Sequence, residues 1–81
     1  MIVDVKLFAA ARQAARQEVI QVDLPDPANV ADLRKAIEEQ FPAVRPMARH
    51  CLFAVNNQYA DDATPIPPHA EVACIPPVSG G

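Results

Sequence analysis

Apolar residues occupy every second position at the start of the chain, in the segment IVDVKLF. Val3, Val5 and Leu7 share one face, whereas Phe8 falls on the other. A period of two predicts a strand with one buried face. The same alternation returns in EVIQVDL, where Ile20, Val22 and Leu24 are in phase, and it predicts a second strand.

Two helices are expected between the strands. The stretch AAARQAAR, residues 9–16, is rich in strong helix formers and predicts a short helix. Asn29 is a suitable N-cap for a longer one. After it, apolar residues recur at spacings of three and four, which is typical of one stripe of an amphipathic helix: Val30, Leu33, Ile37 and Phe41. Pro42 is expected to end this helix.

The second half of the chain predicts three more strands. CLFAV (51–55) is a short apolar strand, and the two asparagines at 56–57 indicate a turn into QYA. DDATPIPPH is an irregular connection, and EVACI (71–75) is the last strand. This order predicts an α+β domain of the ubiquitin-like β-grasp type over residues 1–75, with one main helix across a mixed sheet. Its first and last strands would be parallel neighbours at the centre, followed by an extended tail at 76–81.

Composition narrows the class of function. The chain has 81 residues, with seven Lys and Arg against ten Asp and Glu, which gives a net charge of −3. This balance argues against nucleic acid as a partner and is compatible with docking onto a basic protein surface. No apolar run approaches the roughly 20 residues of a membrane span. The N-terminus lacks the cationic start of a signal peptide, so we expect a cytoplasmic protein that binds no membrane.

The sequence offers few patterns that indicate a catalytic or metal-binding site. Cys51 and Cys74 do not form a CxxC pair, and His50 and His69 are not at metal-ligand spacing. Both cysteines lie in apolar runs, so we interpret them as core residues rather than a disulfide. There is no glycine-rich phosphate loop and no local nucleophile pair. We therefore expect this chain to bind no metal and no cofactor of its own.

The strand phases predict an exposed apolar patch. If Val3, Val5 and Leu7 face the helix, Phe8 faces away from it, and Ile75 does the same if Cys74 faces inward. Phe8 and Ile75 would then lie on the open face of neighbouring strands, with Tyr59 as a third member. Apolar residues grouped in this way are typical of a partner interface.

The C-terminal segment PPVSGG has the properties of an inserted tail. Pro76 and Pro77 stiffen its base because proline fixes φ, Val78 follows, and Ser79, Gly80 and Gly81 form a thin tip that fits a narrow channel. Six extended residues reach at most roughly 20 Å. The carboxylate of Gly81 would be ionised at neutral pH. It could attack the α-phosphate of ATP held by another enzyme, to give an acyl-adenylate.

Three segments resemble the family of molybdopterin synthase small subunits: VKLFAAAR, LFAVNNQYA and EVACIPPVSGG. The resemblance covers the whole chain and is most specific at the Pro-Pro-Val-Ser-Gly-Gly end. It implies that Gly81 is adenylated by an adenylyltransferase similar to ubiquitin-activating enzymes, which uses ATP, and is then converted to a thiocarboxylate with sulfur from a donor system. It also implies docking into a large synthase subunit, within a heterotetramer, and sulfur delivery to a cyclic pyranopterin phosphate.

Three alternatives stay open at this point. The sulfur carrier of thiamine biosynthesis has the same fold and end, but it usually lacks the Pro-Pro pair. The second is a protein modifier joined through Gly81 to lysines of its targets, and the third is a β-grasp interaction module with no covalent chemistry. The chain also departs from the family in two connections, AARQEV and PPHAEV, where a glycine is common. Both departures lie in loops and not in the tail, and His69 in the second is expected to be solvated.

Overall fold

Five strands and three helices follow one another in residues 1–77, the part of the chain that the computed structural model describes. In chain order they are β1 Ile2–Leu7, α1 Ala9–Ala15, β2 Val19–Asp23, α2 Val30–Gln40, α3 Arg45–Ala48, β3 Leu52–Val55, β4 Gln58–Ala60 and β5 Val72–Ile75.

The strands form one mixed sheet in the order β2-β1-β5-β3-β4. β1 and β5 are parallel, and the other three neighbouring pairs are antiparallel. The predicted β-grasp topology is therefore confirmed, including the parallel contact of the first and last strands. β5 lies in the middle of the sheet, so the segment that follows it leaves from the centre of the molecule.

The main helix begins and packs as its sequence predicts. The Asn29 side chain accepts a hydrogen bond from the Asp32 N–H at 2.9 Å, and the Asp32 carboxylate accepts one from the Asn29 N–H at 2.9 Å. This reciprocal cap satisfies two amides that the first turn would otherwise leave free. Val30, Leu33 and Ile37 are fully buried, and Phe41 lies one residue beyond the helix, where it is partly buried against the core.

A third helix was not expected from the sequence. Residues 42–46 read as a turn because of their prolines, yet Arg45–Ala48 forms a single helical turn with Pro46 near its start. Proline fits there because the first amides of a helix have no partner within it. The element is too short to show helical periodicity, but it buries Val44 and Ala48.

Arg34 ties α2 to two connections. Its Nη1 donates to three carbonyl oxygens between α3 and β3, those of Ala48 at 2.7 Å, Arg49 at 3.1 Å and Cys51 at 2.8 Å. Its Nη2 donates to Asp62 Oδ1 at 2.8 Å, and the guanidinium lies 4.9 Å from the centre of the Phe53 ring. One partly buried side chain thus holds the helix, the start of β3 and the loop before β5 together.

Five non-glycine residues of the described part have positive φ: Ala9, Arg16, Asn56, Asn57 and His69. The two asparagines form the predicted turn between β3 and β4, a conformation that Asn tolerates. Arg16 closes α1 with a φ of 57° and donates its N–H to the Arg12 carbonyl at 2.9 Å. Arg16 and His69 lie in the two connections, AARQEV and PPHAEV, where the resembled family commonly has a glycine. Each occupies a left-handed position, which glycine adopts at less cost.

The core lies between the sheet and α2. The inward positions of β1 and β2 are buried as predicted, and so are Val72 and Cys74 in β5. Within residues 1–77, no helix has the length and apolar composition required to cross a bilayer.

Open sheet face and C-terminal tail as the candidate functional site

The sheet face that points away from α2 carries the exposed apolar side chains. Five large apolar residues of the described chain are well exposed, and all five belong to this open face: Ile2 (60% exposed), Phe8 (39%), Val19 (46%), Leu52 (56%) and Tyr59 (74%). Isolated exposed apolar residues are common, but five on one face of one sheet form a surface suited to a partner.

Two of these side chains, Phe8 and Leu52, line up with the partly buried Ile75 beside the start of the tail. Leu7 pairs with Cys74, and the Phe8 N–H donates to the Cys74 carbonyl at 3.2 Å, so Phe8 is the neighbour of Ile75. Ile75 pairs in turn with Leu52 on β3. Phe8, Ile75 and Leu52 thus form a row across three central strands, which we call the apolar row.

A second row crosses all five strands next to the apolar row. Successive pairings join its members from β2 to β4: Val19, Lys6, Ala73, Ala54 and Tyr59. The two alanines at the centre leave a shallow groove of about 830 Å³ over the sheet. The Lys6 ammonium lies 5.3 Å from the centre of the Phe8 ring, close enough for a cation–π contact between the rows.

The charged residues of the open face are mainly acidic. Val5 pairs with Val72, so the preceding residues Asp4 and Glu71 are also neighbours, and both are exposed. Lys6 is the cation beside them. The second row separates this carboxylate pair from the apolar row, so the open face has an apolar end and an acidic end, which suits a partner surface that is apolar and basic.

The first two residues of the tail differ in their exposure to solvent. Pro76 is buried and continues the inward phase of Val72 and Cys74, whereas Pro77 is exposed. The remaining predicted tail residues lie outside the described part of the chain: Val78, Ser79, Gly80 and Gly81. Gly80 and Gly81 are the chain's only glycines. The left-handed positions of the described residues are all occupied by other residue types. The division into a domain of 1–75 and a tail of 76–81 stays a prediction.

The structure brings together some of the predicted site residues and adds others. Phe8 and Ile75 are neighbours beside the tail, and Tyr59 lies on the same face but in the second row. Sequence reasoning missed Leu52 and Val19. Leu52 was hidden because CLFAV is apolar throughout, and its outward phase is visible only when Phe53 and Val55 are assigned to the core.

Metal-binding chemistry finds no support in the described residues. Within 1–77, no three His, Cys, Asp or Glu side chains converge on a point that could hold an ion. The two thiols are buried on the opposite side of the sheet from the apolar row. The open face is suited to docking a partner, and the chemical role of the tail stays a prediction.

Comparison with known proteins agrees with this geometry. The model of the ThiS family matches residues 5–81. A molybdopterin synthase sulfur carrier subunit from Chlamydomonas reinhardtii is 35% identical, with all of both chains covered. One from Caenorhabditis elegans is 31% identical over 98% of this chain and 96% of the relative.

Among solved structures, SAMP1 from Haloferax volcanii superposes with a TM-score of 0.82 at 27% identity, covering all of both chains. A second crystal structure names that protein small archaeal modifier protein 1. Because the family model spans nearly the whole chain and full-length relatives exceed 30% identity, the chain belongs to the ThiS family, alongside the molybdopterin synthase sulfur carrier subunits.

Proposed function

We propose that this protein carries sulfur for molybdopterin synthesis on the carboxyl group of Gly81. The observation that carries the proposal is the full-length similarity, at 31–35% identity, to proteins named molybdopterin synthase sulfur carrier subunits. The apolar row beside the tail adds support, because a carrier must dock while its end is inserted into another protein.

The chemistry begins with the terminal carboxylate, which is ionised at neutral pH. One of its oxygens attacks the α-phosphate of ATP, the bond to the leaving pyrophosphate breaks, and an acyl-adenylate forms. A sulfur nucleophile from the donor system then displaces AMP and leaves a thiocarboxylate on Gly81. That sulfur is transferred to a cyclic pyranopterin phosphate. The carrier supplies a thin, reachable end, and the ATP site belongs to the activating adenylyltransferase.

Two protein partners follow from this scheme. The large synthase subunit receives the thiocarboxylate, and the adenylyltransferase receives the carboxylate. We propose that both dock on the open face, since β5 delivers the tail from the middle of that sheet. With two large subunits at the centre, the synthase would be a heterotetramer with one carrier at each end. We place the protein in the cytoplasm, where it needs neither nucleic acid nor membrane.

Reconstitution tests the proposal. Purified chain would be incubated with the adenylyltransferase, ATP and a sulfur donor, and its intact mass would be measured. We expect exchange of one oxygen for one sulfur, followed by sulfur transfer to the pterin when the large subunit is added. Without the adenylyltransferase, the carboxylate should persist, because we assign no ATP site to this chain. Thiocarboxylate formed from ATP and sulfide alone would contradict the carrier role.

A second candidate function is protein modification through Gly81. It is favoured by the likeness to small archaeal modifier protein 1, which superposes over 93% of this chain with a TM-score of 0.79. Denaturing gels of cell extracts separate the two functions. A modifier gives a ladder of larger species that disappears when Gly81 is deleted, whereas a dedicated carrier remains a single small band.

A further inference from the structure

The outer edge of β2 is not covered by another strand. β2 is the first strand of the sheet, so only its side toward β1 is paired. At one end of this pair, the Met1 ammonium donates to the Leu24 carbonyl at 2.6 Å, and the Leu24 N–H donates back to the Met1 carbonyl at 2.8 Å. At the other end, the Leu7 N–H donates to the Glu18 carbonyl at 2.8 Å. Because hydrogen-bonded pairs alternate along antiparallel strands, the backbone groups that point away from β1 belong to Val19, Gln21 and Asp23.

Gln40 closes this edge at one of its three positions. The Asp23 N–H donates to Gln40 Oε1 at 3.1 Å, and Gln40 Nε2 donates to the Asp23 carbonyl at 2.9 Å. One amide side chain from the end of α2 thus replaces a neighbouring strand at Asp23. Within residues 1–77, the outward N–H and C=O groups of Val19 and Gln21 have no such partner. Open edges of this kind are places where a further strand can be added to a sheet.

The four free groups are complementary to a second copy of the same edge. In an antiparallel pair, two residues that face each other can exchange both of their backbone hydrogen bonds. A two-fold axis at Ile20 places Val19 opposite Gln21 of the second copy, and Gln21 opposite Val19 of the second copy, so that all four groups are satisfied. Glu18 then faces Val22 of the second copy, so this register sets no like charges directly opposite each other.

We propose that β2 pairs with β2 of a second copy of this chain, which joins two five-stranded sheets into one, in a register that Gln40 sets. Both copies use the same surface, as a two-fold dimer requires. A register centred on Gln21 would instead need the backbone groups of Asp23, which Gln40 already occupies. β1 separates β5 from this interface, so the dimer leaves both tails accessible.

Cysteine cross-linking tests the pairing and its register. The side chains at positions 19 and 21 are exposed, so Val19→Cys and Gln21→Cys leave the core unchanged. In the proposed register the Cα atoms of the two positions lie about 5.5 Å apart across the interface, within the range of a disulfide. Identical positions of the two copies are diagonal neighbours about 7–8 Å apart, which is too far for an unstrained bridge.

The two variants are mixed in equal amounts in a glutathione redox buffer, and the products are identified by intact mass. We expect the mixed disulfide dimer to exceed the dimer of either variant with itself by at least about fivefold. The native cysteines are buried and serve as an internal control, since they should remain reduced. Absence of a cross-link, or no more mixed dimer than random pairing gives, would overturn the proposal.

Gln40→Ala tests the role of Gln40 in the register. It frees the Asp23 backbone groups, so the edge has three open positions with Gln21 at their centre. In this background, Gln21→Cys should cross-link with itself in preference to Val19→Cys. An unchanged preference for the mixed dimer would overturn the assignment of Gln40, and circular dichroism checks that the variants are folded.

Hydrogen exchange of the unsubstituted chain tests the dimer without any mutation. The amides of Val19 and Gln21 should exchange more slowly as the protein concentration rises, while sedimentation velocity shows the monomer converting to a dimer. Tyr59 on the opposite edge strand β4 is the matched control, because the two-residue turn before β4 leaves its N–H pointing outward as well. A monomer at every concentration, or equal slowing at both edges, would overturn the proposal. None of these measurements depends on Gly81 or on the proposed sulfur transfer.

Discussion

Arg34 shows how much a single side chain contributes to this small fold. Its guanidinium satisfies three carbonyl oxygens of the α3–β3 connection and pairs with Asp62, and its side chain is 19% exposed. Hydrogen bonds to a charged group typically contribute about 1.5–3 kcal/mol each, and buried carbonyls left unpaired add a penalty.

Replacing Arg34 should therefore destabilise the fold. We expect Arg34→Met to lower the free energy of unfolding by about 2–4 kcal/mol. Arg12→Met is the matched control, because the ion pair of Arg12 with Glu18 is exposed and such pairs contribute about 1 kcal/mol or less. Urea denaturation measures both. Equal losses for the two variants would mean that the contacts of Arg34 are not what holds the connection.

Replacing a non-glycine residue at a left-handed position with glycine should have the opposite effect and raise the free energy of unfolding. A non-glycine residue held at positive φ destabilises the folded state by roughly 1–2 kcal/mol. Glycine removes this strain, but its greater freedom in the unfolded chain offsets part of the stabilisation. Arg16→Gly and His69→Gly should each raise the free energy of unfolding by up to about 1 kcal/mol. The control Ala15→Gly, one residue earlier inside α1, should lower it by about 1 kcal/mol. Thermal melts compare them, and a loss at Arg16 as large as that at Ala15 would contradict the reading.

At the scale of elements, the sequence specified the strands and α2 well and the open face only in part. Alternation placed the inward residues of β1 and β2, and the Asn29 cap located the start of α2, because these signals are local. Val19 was missed although the alternation of β2 puts it out of phase with the buried Ile20, and Leu52 was missed because CLFAV is apolar throughout. Which open-face residues form one row depends on the pairing of Leu52 with Ile75 and of Val19 with Lys6, and pairing between distant segments is not encoded in a local pattern. The single turn α3 was missed because four residues show no period.

The apolar row gives a prediction that separates docking from stability. Phe8→Ala, Ile75→Ala and Leu52→Ala should weaken binding to the large subunit by more than about tenfold, since interface anchors typically contribute 2 kcal/mol or more. Their stability should change little, because they face solvent or are only partly buried.

Leu33→Ala is the contrasting variant for the apolar row. It lies on α2 with no exposed surface, and its loss should cost roughly 2–5 kcal/mol of folding free energy. Calorimetric titration and circular dichroism melts measure the two effects separately. If Phe8→Ala unfolds the protein while the folded fraction binds normally, Phe8 belongs to the core and not to the interface.

At the scale of the whole molecule, both glycines of the chain lie in the tail, at Gly80 and Gly81. Gly80→Ala adds a single methyl group to the tail. We expect it to block activation or sulfur transfer, because a channel shaped to bare backbone has no room for a Cβ. The melting temperature should stay unchanged. Full activity of this variant would show that the receiving channel is wider than the proposal requires.

We propose above that the carboxyl group of Gly81 carries the sulfur. The most direct measurement is the intact mass of the protein after reaction with the adenylyltransferase, ATP and sulfur donor. Two proteins are compared: the chain that ends at Gly81, and the same chain with one alanine added after Gly81. We predict that the chain ending at Gly81 exchanges one oxygen for sulfur, while the extended chain folds equally well and keeps its mass. An extended chain that gains sulfur without losing its added alanine would contradict this account.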